Sequence, residues 1–167
     1  MSTLMALAEQ IEASGVGVAI AESRFAYPII EGIHLIGLAV SVGLIFITDL
    51  RLMGVMLKRV PVERVLDSLR PYVLAGFAAI FISGVLLFWS SAARMLESPA
   101  FVFKLLFIAL AGINAIVFEF IVVKKQKATI GIGSLPRTFR YAGVASLTLW
   151  TLTIVCGRLI PYLPAWS

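Results

Sequence analysis

Four stretches of this 167-residue chain are each about twenty residues long and almost wholly apolar. That is the length an α-helix needs to cross the hydrocarbon of a bilayer, about twenty residues. They run from about Phe25 to Asp49, Tyr72 to Ala93, Ala100 to Val123 and Tyr141 to Ile160. None shows strand-like alternation, and lipid accepts only helices or closed barrels, because backbone polar groups there must bond to one another. Of all residues 60% are apolar and 14% charged, against about 45–50% and about 25% in soluble domains. The mean hydropathy is +1.02. These values exclude a soluble enzyme, a disordered tail and a nucleic-acid-binding domain. The expected fold is all-α: a single polytopic membrane domain over 1–167, built as a four-helix bundle with a short N-terminal amphipathic interfacial helix over 1–24.

Prolines punctuate the spans. Pro28 is expected in the first turn of the first helix, where a missing N–H costs nothing. Pro71 and Pro99 are expected to open the second and third, and Pro161 and Pro164 to follow the fourth. Arg51, Lys58, Arg59, Arg64 and Arg70 lie between the first two spans. Lys124, Lys125, Lys127, Arg137 and Arg140 lie between the last two. Cations gather on the cytoplasmic side. The predicted location is therefore the bacterial inner membrane, with both termini periplasmic. The net charge of +5 then reflects topology and attraction to anionic lipid, and no nucleic-acid partner is needed. Residues 3–20 lack early cations and a long apolar run, so neither a signal peptide nor a fifth span is expected there. Leu4, Leu7, Ala8 and Ile11 share one helical face, as in a helix lying on the outer surface.

Ionisable side chains inside a membrane are costly and mark function. The first span carries Glu31, His34 and Asp49, the third Lys104 and Glu119, and the fourth Arg158. Tyr27, Glu31, His34, Gly37, Ser41 and Thr48 fall on one face of the first helix, which should point inward. Similar seams recur on the others: Gly76, Ala79, Ser83 and Ser90; Lys104, Phe107, Ala111, Asn114 and Phe118; Gly143, Ser146, Thr153 and Gly157. Small residues at such spacing let helices approach closely in lipid.

Depth sorts the charges into two clusters. At 1.5 Å per residue, His34 lies roughly 14 Å, Glu31 roughly 9 Å and Lys104 roughly 8 Å below the outer end. Arg158, Arg94, Arg24 and Met95 lie near that end. An inner cluster of Asp49, Arg51, Arg70, Glu119 and Lys124 reads as an ion-pair belt, with Arg51 or Arg70 as partner of Asp49.

His34 is the only histidine. It can be a plain interhelical hydrogen-bonding group, or an axial ligand of haem b, because imidazole is a usual haem-iron ligand and bundle interiors house such cofactors. The outer cations Lys104, Arg158, Arg94 and Arg24 would then neutralise the propionates. Trp89, Phe88 and Phe107 would pack on the ring, with Gly32 and Gly37 leaving it room. A sixth ligand would come from Met95, Lys104 or a second protomer. The lone Cys156 makes no intrachain disulfide.

Several runs then carry a resemblance. Glu31-Gly-Ile-His34-Leu-Ile-Gly-Leu, Asp49-Leu-Arg51-Leu-Met-Gly, Leu69-Arg-Pro-Tyr, Ser83-Gly-Val-Leu-Leu-Phe and Pro99-Ala-Phe-Val-Phe-Lys104 resemble small bacterial four-helix inner-membrane proteins without assigned function. More distantly, the layout is similar to HemJ-type protoporphyrinogen oxidases, in which a histidine of the first span and a lysine opening the third are functional and haem b is bound. His34 and Lys104 fall at the matching places. The third span is also similar to CopD-type copper-resistance proteins.

The resemblance and the residues together imply a haem-binding membrane protein for electron transfer or haem-dependent oxidation near the periplasmic face. Two other readings stand beside it. One is a copper-handling protein using His34, Glu31 and Met95, and the other a cofactor-free structural or anchoring subunit. The lipid bilayer, a homodimer or a redox partner are the expected associations.

Overall fold

The computed structural model describes residues 2–123 and 135–163. Among these, every regular element is helical. The order is α1 (Ser2–Glu12), α2 (Gly15–Glu22), α3 (Ala26–Leu52), α4 (Val62–Trp89), α5 (Ala92–Glu97), α6 (Pro99–Val117), a π-helical continuation (Phe118–Val123) and α7 (Arg137–Leu159). Four of them, α3, α4, α6 with the start of its continuation, and α7, are long and apolar enough to cross a membrane. This is the build of a membrane protein.

The helix ends follow from local chemistry. Pro28 lies in the first turn of α3 and Pro99 is the first residue of α6. Gly54, at φ 75°, closes α3: its N–H bonds to Arg51 O, and the Val55 N–H reaches back to Leu50 O at 2.9 Å. That pair of bonds requires a left-handed residue, which glycine adopts without strain. Pro161 follows the end of α7, while Pro164 and the cations Lys124, Lys125 and Lys127 lie outside the described residues.

Two expectations are corrected for the second span. Its helix begins at Val62, so Pro71 is interior to α4 rather than in its first turn. It also stops at Trp89, short of Ala93, because the chain turns at Ser90 and Ser91 before starting α5. The single N-terminal helix is in fact two, α1 and α2, bent by 62° and together long and apolar enough to form a broken span or a re-entrant loop. Gly17 sits so close to the Glu12 carbonyl that a side chain there would overlap it.

α3 packs along α4 on one side and α7 on the other, and α6 packs along α7. α4 and α6 are joined at their two ends. Phe88 stacks on Phe101 with centroids 5.7 Å apart, and Arg70 pairs with Glu119 at 2.6 Å. The buried core is thin. Leu52, Val62, Phe118 and Phe139 cluster at one end, while Ile33, Ile36, Phe81, Ile82, Ile113 and Ile116 remain exposed. Apolar side chains gain nothing by leaving lipid for protein, so small residues and buried polar contacts must hold the helices together. Gly37 and Gly76 bring α3 against α4, where Ser41 Oγ donates to Val73 O at 3.0 Å. Gly143 brings α7 against the end of α3, and Asn114 Nδ2 donates to Ala142 O at 3.1 Å between α6 and α7.

The inner belt forms only in part. Arg70 takes Glu119, and also Asp67 at 3.8 Å. Among the described residues Asp49 has no cationic partner: Arg51 turns away, its Nε donating to Val60 O at 2.9 Å, and Ser146 on α7 faces the Asp49 carboxyl instead. Residues 49 and 51 are two apart on a helix, and so point to different sides of it.

Candidate functional site

The half of the long helices that holds the start of α3 and the end of α7 surrounds a cavity of about 630 Å³. α3 supplies Tyr27, Glu31 and His34, α4 Gly84 and Leu87, and α6 Phe101 and Lys104. α7 supplies Thr153, Gly157 and Arg158, and the segment around α5 supplies Arg94, Met95 and Ser98. Its size lies within the range of small-molecule and cofactor sites, about 300–1,000 Å³. Five residues singled out from sequence, Glu31, His34, Arg94, Lys104 and Arg158, thus meet on one space, together with Met95.

The imidazole is tightly specified. His34 Nδ1 lies 2.9 Å from Ser83 Oγ. The Ser83 hydroxyl donates its proton to the Ala79 carbonyl at 2.5 Å, with a longer contact of 3.3 Å to Ile80 O. The serine oxygen must therefore accept, and Nδ1 carries the ring proton. Nε2 then carries the lone pair, and the Ile80 backbone also lies within hydrogen-bonding reach of the ring. Gly84 lets the ring lie this close to α4: a methyl group there would stand 3.2 Å from His34 Cε1, so the ring would have to shift by a few tenths of an ångström. A histidine whose second nitrogen donates to a fixed oxygen is the usual arrangement around a metal-ligating imidazole.

Lys104 is the second fixed group. Its stem runs along Gly157 of α7, where a methyl group would meet Cδ, Cε and Nζ at 3.4–3.6 Å. Ion pairs among the described residues involve only Arg70, so the ammonium has no carboxylate partner there, although Glu31 and Glu97 also line the cavity. Arg158 is more exposed. It donates to the Tyr162 hydroxyl at 3.1 Å and lies over that ring at 5.3 Å.

Some expected residues are elsewhere. Trp89 does not line the cavity: its Nε1 donates to Ser14 Oγ at 2.9 Å, tying the α1–α2 bend to the end of α4. Glu12 reinforces that tie by accepting from the Ala93 N–H at 3.1 Å. Phe88 and Phe107 do not line the cavity either. Phe101 does, backed by Phe88. Arg24, Gly32 and Gly37 lie away from it as well. In the sequence the serines mark only packing seams, and their part emerges from contacts across helices. Ser98 is the sharpest case. It stands before Pro99, where a serine commonly caps a helix, yet its hydroxyl makes no cap bond and is buried without a hydrogen-bond partner among the described residues.

Among the described residues no three His, Cys, Asp or Glu side chains come together as a metal cluster. Met95 stands outside that set, and it lines the same cavity as His34 and Glu31. A tetrapyrrole metal needs no such cluster, since the macrocycle supplies four donors.

No curated protein and no solved structure matches the chain. The likeness to HemJ-type and CopD-type proteins therefore stays with the motifs quoted above. A family profile matches residues 11–163, almost the whole chain with the entire cavity inside it, and the protein belongs to that family of unknown function, DUF6644.

Proposed function

We propose that the protein is a b-type haem protein of the bacterial inner membrane, serving electron transfer or a haem-dependent oxidation near the periplasmic face. One observation carries this reading. His34 lines a cofactor-sized cavity with Nδ1 committed to Ser83, so Nε2 is the only ring nitrogen free to bind.

The residues present fit the group. His34 would hold the iron through Nε2, and Ser83 and Gly84 fix the imidazole in place. Lys104, Arg94 and Arg158 supply positive charge around the same space for two propionates. Phe101 and Leu87 furnish apolar wall. Haem, when bound, supplies a one-electron iron couple. The chain's own part is to hold the ring, balance its carboxylates and keep water from the buried face, all of which set a reduction potential. Met95 and Lys104 line the same cavity and are the groups available as a sixth ligand. The four long helices form a bundle in this reading, with α1 and α2 at the periplasmic surface and both cation-rich loops in the cytoplasm.

The test is the visible spectrum of the purified protein after expression with haem supply. A Soret band is expected in the wild type, and its loss or marked shift in His34→Ala. Absence of the band from both proteins would reject the reading.

A further inference from the structure

We infer that the cavity opens sideways into the bilayer through a window between α3 and α7, and that its ligand is taken up from the lipid rather than from water. The ligand's identity as haem rests on the reading above, but the window does not.

The long helices stand as two pairs. His34 and Gly37 seat α3 on α4, and Lys104 and Asn114 seat α6 on α7. The pairs converge at one end, where Gly143 and Ser146 of α7 meet Asp49 and Leu52 of α3. Toward the other end the space between them is the cavity. Phe88 stacked on Phe101 bridges α4 to α6 on one side of it. Trp150 of α7 packs on Phe77 of α4 with centroids 5.3 Å apart, about one turn inward of Thr153 and two of Gly84. α5 contributes Arg94 and Met95 across the helix ends.

The side between α3 and α7 is different. Leu35 lies about four turns before Asp49, and Ile154 about three turns beyond Gly143, so each stands on the flank its helix turns toward the other. Both line the cavity, yet Leu35 is 57% exposed. A helix packed there as α7 packs at Asp49 would cover it. α3 and α7 therefore part company beyond their contact at Gly143, and Leu35 and Ile154 are the lips of the gap.

Depth decides what the gap meets. α3 has 27 residues and so measures about 40 Å, against about 30 Å for the hydrocarbon. Leu35 lies about 14 Å from the start of α3 and Ile154 about 8 Å from the end of α7, both at acyl-chain depth. The exposed charged groups of the lining, Arg94, Glu97 and Arg158, stand nearer the helix ends. A ligand matching both regions has an apolar body and a charged head, and already rests in a bilayer in that attitude. Haem, a flat apolar ring with two carboxylates on one edge, is such a molecule.

The experiment uses full-length protein in phosphatidylcholine vesicles. In a Cys156→Ser background, Leu87→Cys places a thiol in the cavity on α4, a helix that forms neither lip. It is treated with a dodecyl maleimide dissolved in the bilayer, or with a sulfonated maleimide confined to water. The lipid-dissolved reagent should react several-fold faster. Adding Leu35→Trp or, separately, Ile154→Trp should slow that reagent several-fold and leave the charged one unchanged. Ile36→Trp, at an exposed position off the cavity, should change neither. Haemin is then offered from preloaded vesicles to the same lip variants without the Leu87 change. The Soret band should grow several-fold more slowly in both than in wild type, with melting temperatures alike.

Labelling by the charged maleimide as fast as by the lipid-dissolved one overturns the window, as do unchanged rates in both lip variants, even if the Soret band and its dependence on His34 persist. Slowed labelling with unslowed haem uptake overturns delivery from the lipid. If no Soret band forms but both lip variants slow the lipid-dissolved maleimide, the window stands and the haem reading falls.

Discussion

Lys104 of α6 lies lengthwise on Gly157 of α7, with the outer half of its stem 3.4–3.6 Å from where a methyl group at 157 would stand. The glycine thus works as a groove for a cation, besides letting two helices approach. Ala at 157 would touch the stem at ordinary contact distance. Leu could not be accommodated without moving it. Gly157→Ala should bind haem within about twofold of wild type, whereas Gly157→Leu should bind roughly tenfold more weakly, the scale of overpacking a filled site. Soret titration of the two variants checks this, with Gly112→Leu as control, since a side chain at 112 would begin in open space among the described residues.

Ser83 should behave as a positioning residue for His34. Its oxygen fixes which ring nitrogen carries the proton, and losing such a partner typically costs about 10–100-fold in metal affinity. Ser83→Ala should weaken haem binding on that scale and shift the reduction potential. Ser83→Thr, which keeps the hydroxyl, should restore both in part. An unchanged potential in Ser83→Ala would show that the hydrogen bond does not govern the site.

Arg70 and Glu119 are both partly exposed, with side chains 47% and 41% accessible, so water and salt screen them. A double-mutant cycle of Arg70→Gln and Glu119→Gln should give a coupling below about 1 kcal/mol that falls at high salt. Asp49→Asn should leave thermal stability nearly unchanged, because no cation among the described residues pairs with Asp49 and the amide keeps a group for Ser146. A large loss of stability in Asp49→Asn would reveal a partner beyond Ser146.

The α1–α2 bend is fastened by two polar bonds, Trp89 to Ser14 and Glu12 to Ala93. Trp89→Phe combined with Glu12→Gln should release it. Limited proteolysis within residues 2–22 should speed up several-fold, while the Soret band stays as in wild type, since neither residue lines the cavity. A spectrum that changes with the double variant would make the N-terminal hairpin part of the site.

Hydropathy and punctuation alone determined the four long helices, the opening turns at Pro28 and Pro99, and the rank of His34 and Lys104 as the residues to watch. Each is a property of one segment: apolar length, a fixed φ, or a charge where lipid disfavours it. The small-residue seams were legible too, since Gly37, Gly76 and Gly143 do mark close approaches. Which side chain would meet which was not legible, because partners across helices depend on rotation and depth of one helix against another. Asp49 therefore faces Ser146 rather than an arginine, and Trp89 serves the N-terminal bend rather than the cavity. Ser83 and Ser98 gained their parts only when the helices came together. Whether a serine hydroxyl bonds to its own backbone, orients a histidine or stands unpartnered is decided by the few ångströms of space the neighbouring helix leaves it.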